Sequence, residues 1–237
     1  MLEYAGKDLE AMRFAVNYHR WILDMFRPYL GKRWVEVGAG TGLFSEMLLG
    51  CKPERLSLVE PSGMVSALRQ KFRLEPSVDI HHATFAGCIP EMTSFRPDSI
   101  LYINVLEHIE DDDDELKHAF DTLHNRGRAF IFVPALEFLL GPFDRSIGHL
   151  RRYRKSALEQ KCRRAGFEIV LSKYFDAAGV LPWWIKYKLL GSGTLSARSV
   201  HLYDKYCVPV VRLIEKFMTP PLGKNILLVA EKRNIHA

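Results

Sequence analysis

The chain has 237 residues, 48% of them hydrophobic and 26% charged, with a formal net charge of +5; that suits one full-sized core, with or without an elaboration, in a soluble globular protein. No apolar run approaches the length of a membrane span, and Glu3, Lys7, Asp8 and Glu10 dilute the first apolar residues below signal-peptide strength. Four scattered cysteines (Cys51, Cys88, Cys162, Cys207), none in a CxxC pair, predict free thiols in a reducing, cytoplasmic setting, not a disulfide frame or a zinc site.

In chain order, residues 9 to 26 place Leu9, Met12, Val16, Leu23 and Phe26 on one stripe of a predicted helix, which Pro28 ends. "RWVEVG" (33–38) predicts a strand, and Leu43, Phe44, Met47 and Leu48 mark the helix after it. "RLSLVE" (55–60) is a second strand, with Ser62 placed to cap the next helix, and "VDIHHA" (78–83) is a weaker third. "SILYINV" (99–105) and "GRAFIFV" (127–133) are buried-strand candidates. Between them "EDDDDE" (110–115) precedes Leu116, Ala119, Phe120 and Leu123, spaced as one helical face. Those acids read as a helix start complementing the dipole; successive helical acids point different ways, which suits no metal. The basic "RRYRK" (151–155) is open to two readings: contact with an anionic substrate, membrane or nucleic acid, or solvated surface. Ser156 is placed to cap a helix carrying Leu158, Cys162 and Ala165 and ended by Gly166, and "FEIVLSKYF" and "NILLVAEK" supply two more strands.

Such alternation predicts an α/β fold: an open parallel sheet with helices on both faces, built as a single domain over 1–237. Within it, 1–30 is a helical cap, 31–174 the cofactor-binding core, 175–223 a helical insertion broken by Pro182, "GSG", Pro209 and "PP", and 224–237 the last strand and tail. The insertion and the long connection at 134–155 have the length of lids or binding loops.

"WVEVGAGTGLFSEML" (34–48) puts Gly38, Gly40 and Gly42 within five positions between a strand and a helix. Glycines there let backbone approach a ligand closely and take dihedrals closed to other residues. The place is where open α/β sheets bind ligands, beyond the carboxyl ends of the strands. Glu60 ends the second strand about 20 residues on, where a carboxylate can grip ribose hydroxyls. The spacing is G-x-G-x-G, and Leu43 and Phe44 replace the later glycine of the dinucleotide fingerprint, so hydride transfer fits poorly.

"VEVGAGTG", "LVEPS" and "INVLEHIEDD", in that order, resemble the class I S-adenosylmethionine-dependent methyltransferases, over nearly the whole chain. "NYHRW", "FDRSIGHLRRYRKSALEQKCRRAGFEI" and "PPLGKNILLVAEK" are similar to a bacterial subgroup, many of whose members accompany glycosyltransferases of surface-polysaccharide or lipid-linked pathways; the ubiquinone-pathway O-methyltransferases resemble it more distantly. The resemblance implies a Rossmann-like seven-stranded sheet whose last strand is antiparallel. It also implies S-adenosyl-L-methionine across the ends of the first, second and fourth strands, leaving as S-adenosyl-L-homocysteine. By position, Glu36 and the backbone from Gly38 through Ala39, Gly40 and Thr41 to Gly42 would hold the methionine part. Glu60 would accept the ribose hydroxyls, and Pro61 or Ser62 would flank the adenine. Asn104, Val105 and Leu106 would lie under the sulfonium. The adenine-edge position, often an Asp, falls on Thr84, which lacks the carboxylate, with the backbone of Phe85 as substitute.

The cofactor supplies the reactivity of methyl transfer, and the protein supplies alignment, exclusion of water and, for a hydroxyl or carbon acceptor, proton removal. His108 in "LEHIE" and His149 in "GHLRRY" are the candidate bases; packing or local hydrogen bonding would account for either equally simply. Arg152 and Tyr153 would bind an anionic acceptor group, or Arg152 would pair with an acid of the acidic-start helix and hold its loop shut. Tyr18 would cover the cofactor or pack on its helix. In "VLPWWIKYKLLG" (180–191), Trp183 and its neighbours beside Lys186 and Lys188 suit core packing of the insertion, a hydrophobic acceptor tunnel or peripheral membrane contact. A small-molecule, sugar or lipid-linked acceptor methylated on oxygen is the leading expectation. "NVLE" stands where amino-methylating nucleic-acid enzymes resemble one another through [DNS]PP[YFW], so no nucleic-acid partner is expected. A binding protein without chemistry is the third reading. Oligomeric state is not legible.

Overall fold

The central strands are short, apolar and buried on both sides, as a sheet covered by helices requires, while the two edge strands are only partly buried. In the computed structural model, which describes residues 9–191 and 195–233, the strands are β1 (Arg33–Val37), β2 (Arg55–Val59), β3 (Val78–His81), β4 (Ser99–Ile103), β5 (Arg128–Pro134), β6 (Glu168–Phe175) and β7 (Asn225–Glu231). They form one sheet in the order β3-β2-β1-β4-β5-β7-β6. All pairings from β3 to β5 are parallel, and β7 runs antiparallel to both β5 and β6. The chain builds outward from β1 to β3, then returns to place β4 on β1's other side, so the switch point of the sheet lies between β1 and β4.

The helices are α1 (Leu9–Met12), α2 (Val16–Phe26), α3 (Leu43–Gly50), α4 (Val65–Lys71), α5 (Ile89–Phe95), α6 (Asp112–Thr122), α7 (Pro142–Ser146), α8 (Lys155–Arg164), α9 (Val180–Trp183), α10 (Ala197–Leu202) and α11 (Val208–Phe217). Strand alternation sorts the core into two layers. Ala129, Ile131 and Val133 of β5 pack with Leu116, Phe120 and Leu158 of α6 and α8. Phe130 and Phe132 face the other way, onto Ile22 and Phe26 of α2, Leu48 of α3 and Val211 of α11.

Four local expectations need correction. The first helix is two pieces, α1 and α2, and its stripe is shifted: Tyr18, Trp21, Ile22 and Phe26 are buried, whereas Val16 is 40% exposed. The break is stabilised from a distance. Asp204 accepts the N–H groups of Asn17 and Tyr18 at 3.0 and 2.8 Å, and so caps α2 from the far end of the sequence. Ser62 shapes the turn before α4, accepting the Met64 N–H at 3.2 Å, and is not its cap. Ser156 lies inside α8, which opens one residue earlier without a side-chain cap. The acidic-start helix and the glycine ending α8 stand as expected: Asp111 caps α6 through the Asp114 N–H, and Gly166 has φ +106°.

The insertion before β7 is helical, as expected. α9 continues through a π-helical turn to Leu189. α10 and α11 are joined by another over Tyr203–Cys207, beside Pro209, which has no N–H to give an α-helical ladder. Residues 192 and 193 of the "GSG" break, the side chain of Leu9 and residues 234–237 of the predicted tail lie outside the described residues.

Replacing Asp204 with Ala should lower unfolding stability by about 0.5–2 kcal/mol, the range for a lost cap, and speed amide exchange at residues 17 and 18. Unchanged chemical denaturation would show that the remote cap contributes nothing.

Candidate active site

Each of the three loop glycines has positive φ: +70° at Gly38, +55° at Gly40 and +74° at Gly42. The reason for glycine is steric at both ends. A Cβ at Gly38 would lie 2.6 Å from Val105 Cγ2, and one at Gly42 would lie 2.8 Å from Leu68 and Phe72. The loop is tied down by Glu60, whose Oε2 accepts the Gly40 N–H and whose Oε1 accepts the Ser62 N–H, both at 2.8 Å. A carboxylate has about four acceptor sites, so two remain for a ligand. Glu36, one strand over, is buried and accepts the Ser45 hydroxyl. Burial, followed by the nearby charge of Glu60, pushes its carboxyl up to about 8 against the help of Ser45.

These groups line one wall of a cavity of about 1620 Å³. Pro61, Ser62, Thr84 and Phe85 continue that wall, and Asn104 and Val105 form its floor after β4. Asn104 has φ +53° and donates its N–H to Phe132 at 2.8 Å. Thr84 spends its hydroxyl oxygen on the Gly87 N–H at 3.1 Å. Three expected contacts do not reach the cavity. Gly42 starts α3 against Leu68 and Phe72, Leu106 is fully buried in the core, and Tyr153 is buried behind the wall. The Tyr153 hydroxyl bonds Asp112 at 2.7 Å and the Leu106 carbonyl at 3.1 Å, which makes it a brace.

The long loop after β5 closes on the turn after β4. Leu150 N–H bonds the Glu107 carbonyl at 2.9 Å, which brings the rings of His108 and His149 to 4.8 Å between centroids. His108 Nδ1 meets the Gly148 carbonyl at 3.2 Å, and His149 Nδ1 meets Asp144 Oδ1 at 3.0 Å. Burial, then the neighbouring His149, pushes His108 down to about 4. Sequence reasoning passed over Glu107, which is fully buried; burial pushes its carboxyl up to about 7, against the pull of His149. Its only sequence signal was adjacency to His108.

Arg152 is committed within its own loop. It grips Asp144 at 2.7 and 2.9 Å and lies over the Trp183 ring at 4.9 Å. Burial alone would raise the Asp144 carboxyl, but His149 and Arg152 together hold it below its ordinary range. The expected acid partner on the acidic-start helix is therefore corrected: Asp144 of α7 takes Arg152, while Asp112 of α6 takes Arg151 at 2.7 Å. Tyr18 lines the cavity edge and donates to Asn225 at 3.0 Å, packed edge-on against Phe132 and Phe175. Trp183 packs tilted against Tyr187 and edge-on against Phe143 at the opposite end. Lys224, also missed, lies between Tyr18, Trp183 and Tyr203 and pairs with buried Asp176 at 3.1 Å.

The family model of the methyltransferase domain matches residues 10–172, well over half of the chain. The chain belongs to this methyltransferase family. Its strand order and antiparallel β7 are those of the class I fold, and its family makes it an S-adenosylmethionine-dependent methyltransferase. Similar solved structures include an Archaeoglobus fulgidus S-adenosylmethionine-dependent methyltransferase (18% identity, 93% of this chain and 94% of that one, TM-score 0.60). Another is a Thermotoga maritima methyltransferase described as a possible histamine N-methyltransferase (18%, 97% and 96%, TM-score 0.60). A third is a mycolic acid cyclopropane synthase bound to S-adenosylhomocysteine (15%, 89% and 82%, TM-score 0.59). No curated protein matches the chain by sequence. The residues present fit the methyltransferase's donor: a glycine-rich loop whose Gly38 backbone lies against Val105, and a carboxylate with spare acceptor sites at the switch point.

Glu36 gives a pH signature. Its folded pKa, about 8, lies above the ordinary 4.5, so the folded methyltransferase holds a proton that the unfolded chain has lost. The Glu36 contribution to ligand-free stability should therefore be lost as pH rises from about 4.5 to about 8, opposed below about 6.5 by buried His19 and His108, both pushed down to about 4. In Glu36→Gln the loss between about pH 6.5 and 8 should be shallower, with Glu107 leaving a residual slope of the same sign up to about 7. Parallel urea curves for both proteins across that range would refute the burial argument.

Proposed function

We propose that this methyltransferase moves the methyl group of S-adenosylmethionine onto a hydroxyl oxygen of an amphipathic small molecule, sugar-bearing or lipid-linked. The observation carrying this reading is the reach of the cavity. It runs from Glu60 past Asn104 to His108 and His149 and on to Trp183 and Tyr187. A drug-sized pocket measures roughly 300–1,000 Å³, so about 1620 Å³ leaves space for a second reactant.

The donor brings an electrophilic methyl group on a cationic sulfur. Glu60 and the backbone at Gly40 would hold its ribose and methionine parts, and Glu36 would face the ammonium group, which favours the ionised carboxylate. Asn104 and Val105 would set the depth of the sulfur. A hydroxyl acceptor must shed a proton as its oxygen attacks. His108 and His149 line that side of the cavity, with buried Glu107 behind them, 3.6 Å from His149 Nε2. Arg152 would steer through Asp144, keeping His149 in place, without touching the acceptor.

An apolar acceptor is supported by α9 and its π-helical extension. Trp183 and Tyr187 turn to the cavity, whereas Leu181, Trp184, Ile185, Leu189 and Leu190 are exposed beside Lys186 and Lys188. An amphipathic helix of that kind suits the interface of a bilayer. Among the described residues no helix is long and apolar enough to cross a membrane. The basic run spends Arg151, Arg152 and Arg154 on Asp112, Asp144 and Glu137, which leaves little of it to follow a nucleic-acid backbone.

Calorimetry with S-adenosylhomocysteine should give one site per chain, weakened about tenfold or more in Glu60→Ala, the cost of losing hydrogen bonds to a charged group. No heat with the unmodified protein would remove the donor site itself. Incubation with labelled donor and hydroxylated glycolipids in micelles should yield an alkali-stable methyl ether. Label recovered on amines or on nucleic acid would displace the O-methylation reading. Leu189→Ser with Leu190→Ser should weaken binding to anionic vesicles while leaving homocysteine-cofactor binding intact; vesicle binding absent from the unmodified protein would point to a soluble acceptor.

A further inference from the structure

Glu107, His108 and His149 each present one donor atom, and the three atoms lie within 4.8 Å of one another. They come from two separate chain segments, the turn after β4 and the loop after β5, clamped together by the Leu150 to Glu107 backbone bond at 2.9 Å. A metal-binding imidazole uses one nitrogen for the ion and is oriented through the other, by a carboxylate or backbone carbonyl. Both orienting partners are present: Asp144 Oδ1 at 3.0 Å from His149 Nδ1, and the Gly148 carbonyl at 3.2 Å from His108 Nδ1. Asp144 is in turn fixed by Arg152.

The third ligand supplies the independent sign. Glu107 is fully buried, and among the described residues neither of its carboxylate oxygens has a hydrogen-bond partner. Its nearest positive candidate, His149 Nε2, is 3.6 Å away, too far for a hydrogen bond. A buried carboxylate without donors is costly, and an ion at that place would offset the cost.

We propose that Glu107, His108 and His149 bind a divalent first-row transition ion through two imidazole nitrogens and one carboxylate oxygen, with its remaining positions open to the acceptor. The mixed nitrogen and oxygen set favours Zn²⁺, Mn²⁺, Fe²⁺ or Co²⁺ over the all-oxygen preferences of Mg²⁺ and Ca²⁺. The donors need to close by about 1 Å to sit near 2.1 Å from an ion. The inference rests on methyl transfer to a hydroxyl and deepens it. The acceptor oxygen would occupy an open position, where the ion lowers its pKa. Its O–H bond then breaks with the proton passing to water, and its lone pair forms the new C–O bond as the methyl–sulfur bond breaks and the neutral thioether leaves.

Chelator-treated protein is titrated with Co²⁺ alone, without donor or acceptor. One equivalent should bind per chain with a visible d–d band, and Zn²⁺ should displace it. Glu107→Gln, His108→Ala and His149→Ala should each weaken Co²⁺ by about tenfold or more, while S-adenosylhomocysteine heats show each variant folded. In the unmodified protein, Zn²⁺ should also slow carbethoxylation of His108 and His149 about tenfold relative to His124, a readout that needs no variant. No Co²⁺ binding, binding retained in all three variants, or unprotected histidines would each overturn the site in favour of a plain histidine base. Failure of S-adenosylhomocysteine to bind would instead strike the donor reading, since the metal titration omits it.

Discussion

The contact between the Gly38 backbone and Val105 governs the geometry of everything around it. A side chain at position 38 would enter the space of Val105 Cγ2 at 2.6 Å, so the turn after β1 and the turn after β4 can approach only where one of them carries no Cβ. That closeness sets the floor of the cavity at Asn104 and Val105 and brings the Gly40 N–H within reach of Glu60. In-register pairing, with Val37 opposite both Val59 and Tyr102, delivers the three strand ends at one level. A parallel sheet supplies such a level crevice at its switch point without any dedicated scaffold. The donor cradle is thus a consequence of packing as much as of ligand chemistry.

The opposite wall is held by charge. Asp112, at the buried start of α6, receives Tyr153, Arg151 and Lys161, and Asp113 receives Lys161 and Arg164. The acidic run therefore does more than complement a helix dipole: it latches the loop that carries His149. Truncating one buried partner of such a network leaves its mates uncompensated and costs several kcal/mol, which makes the loop's position depend on residues remote from any reactant. Asp144 belongs to both systems, gripping Arg152 on one side and orienting His149 on the other.

Much of this was legible because it follows short-range rules. The seven-stranded sheet came from apolar runs whose alternation the two-layer core repeats residue by residue along β5 and β7. The glycine loop and Glu60 were legible because turn chemistry is local and the spacing to the second strand end is set by one helix. What escaped was non-local. Nothing near Asn17 announces that Asp204, nearly the whole chain away, would cap α2. Arg152 was matched to the wrong acid because sequence gives charge but not direction, and the acidic helix start offered four candidates that drew attention from Asp144, only eight residues away. Glu107 went unnoticed because an acid beside an acidic run reads as solvated, whereas its backbone carbonyl is drawn into the loop contact and its side chain turned inward. Lys224 reads as an ordinary strand-flanking lysine until Tyr18, Trp183 and Tyr203 from three distant segments surround it.

The insertion shows how one helix can serve two solvents. Around the π-helical turn after α9, Tyr187 is buried at the cavity while Leu189 and Leu190, two and three residues on, are 63% and 73% exposed. A surface helix normally turns its apolar residues to the core, and here apolar residues also face outward beside Lys188. α11 repeats the arrangement: Val208 and Val211 pack under β7, and Leu213, Ile214 and Phe217 are exposed. Both helices belong to the segment that closes the cavity, so the exposed apolar surface and the Trp183 end of the cavity share the same backbone. An acceptor with an apolar tail would meet that surface before it met the donor, and its ordering there would lower the entropic cost of aligning its hydroxyl with the methyl group.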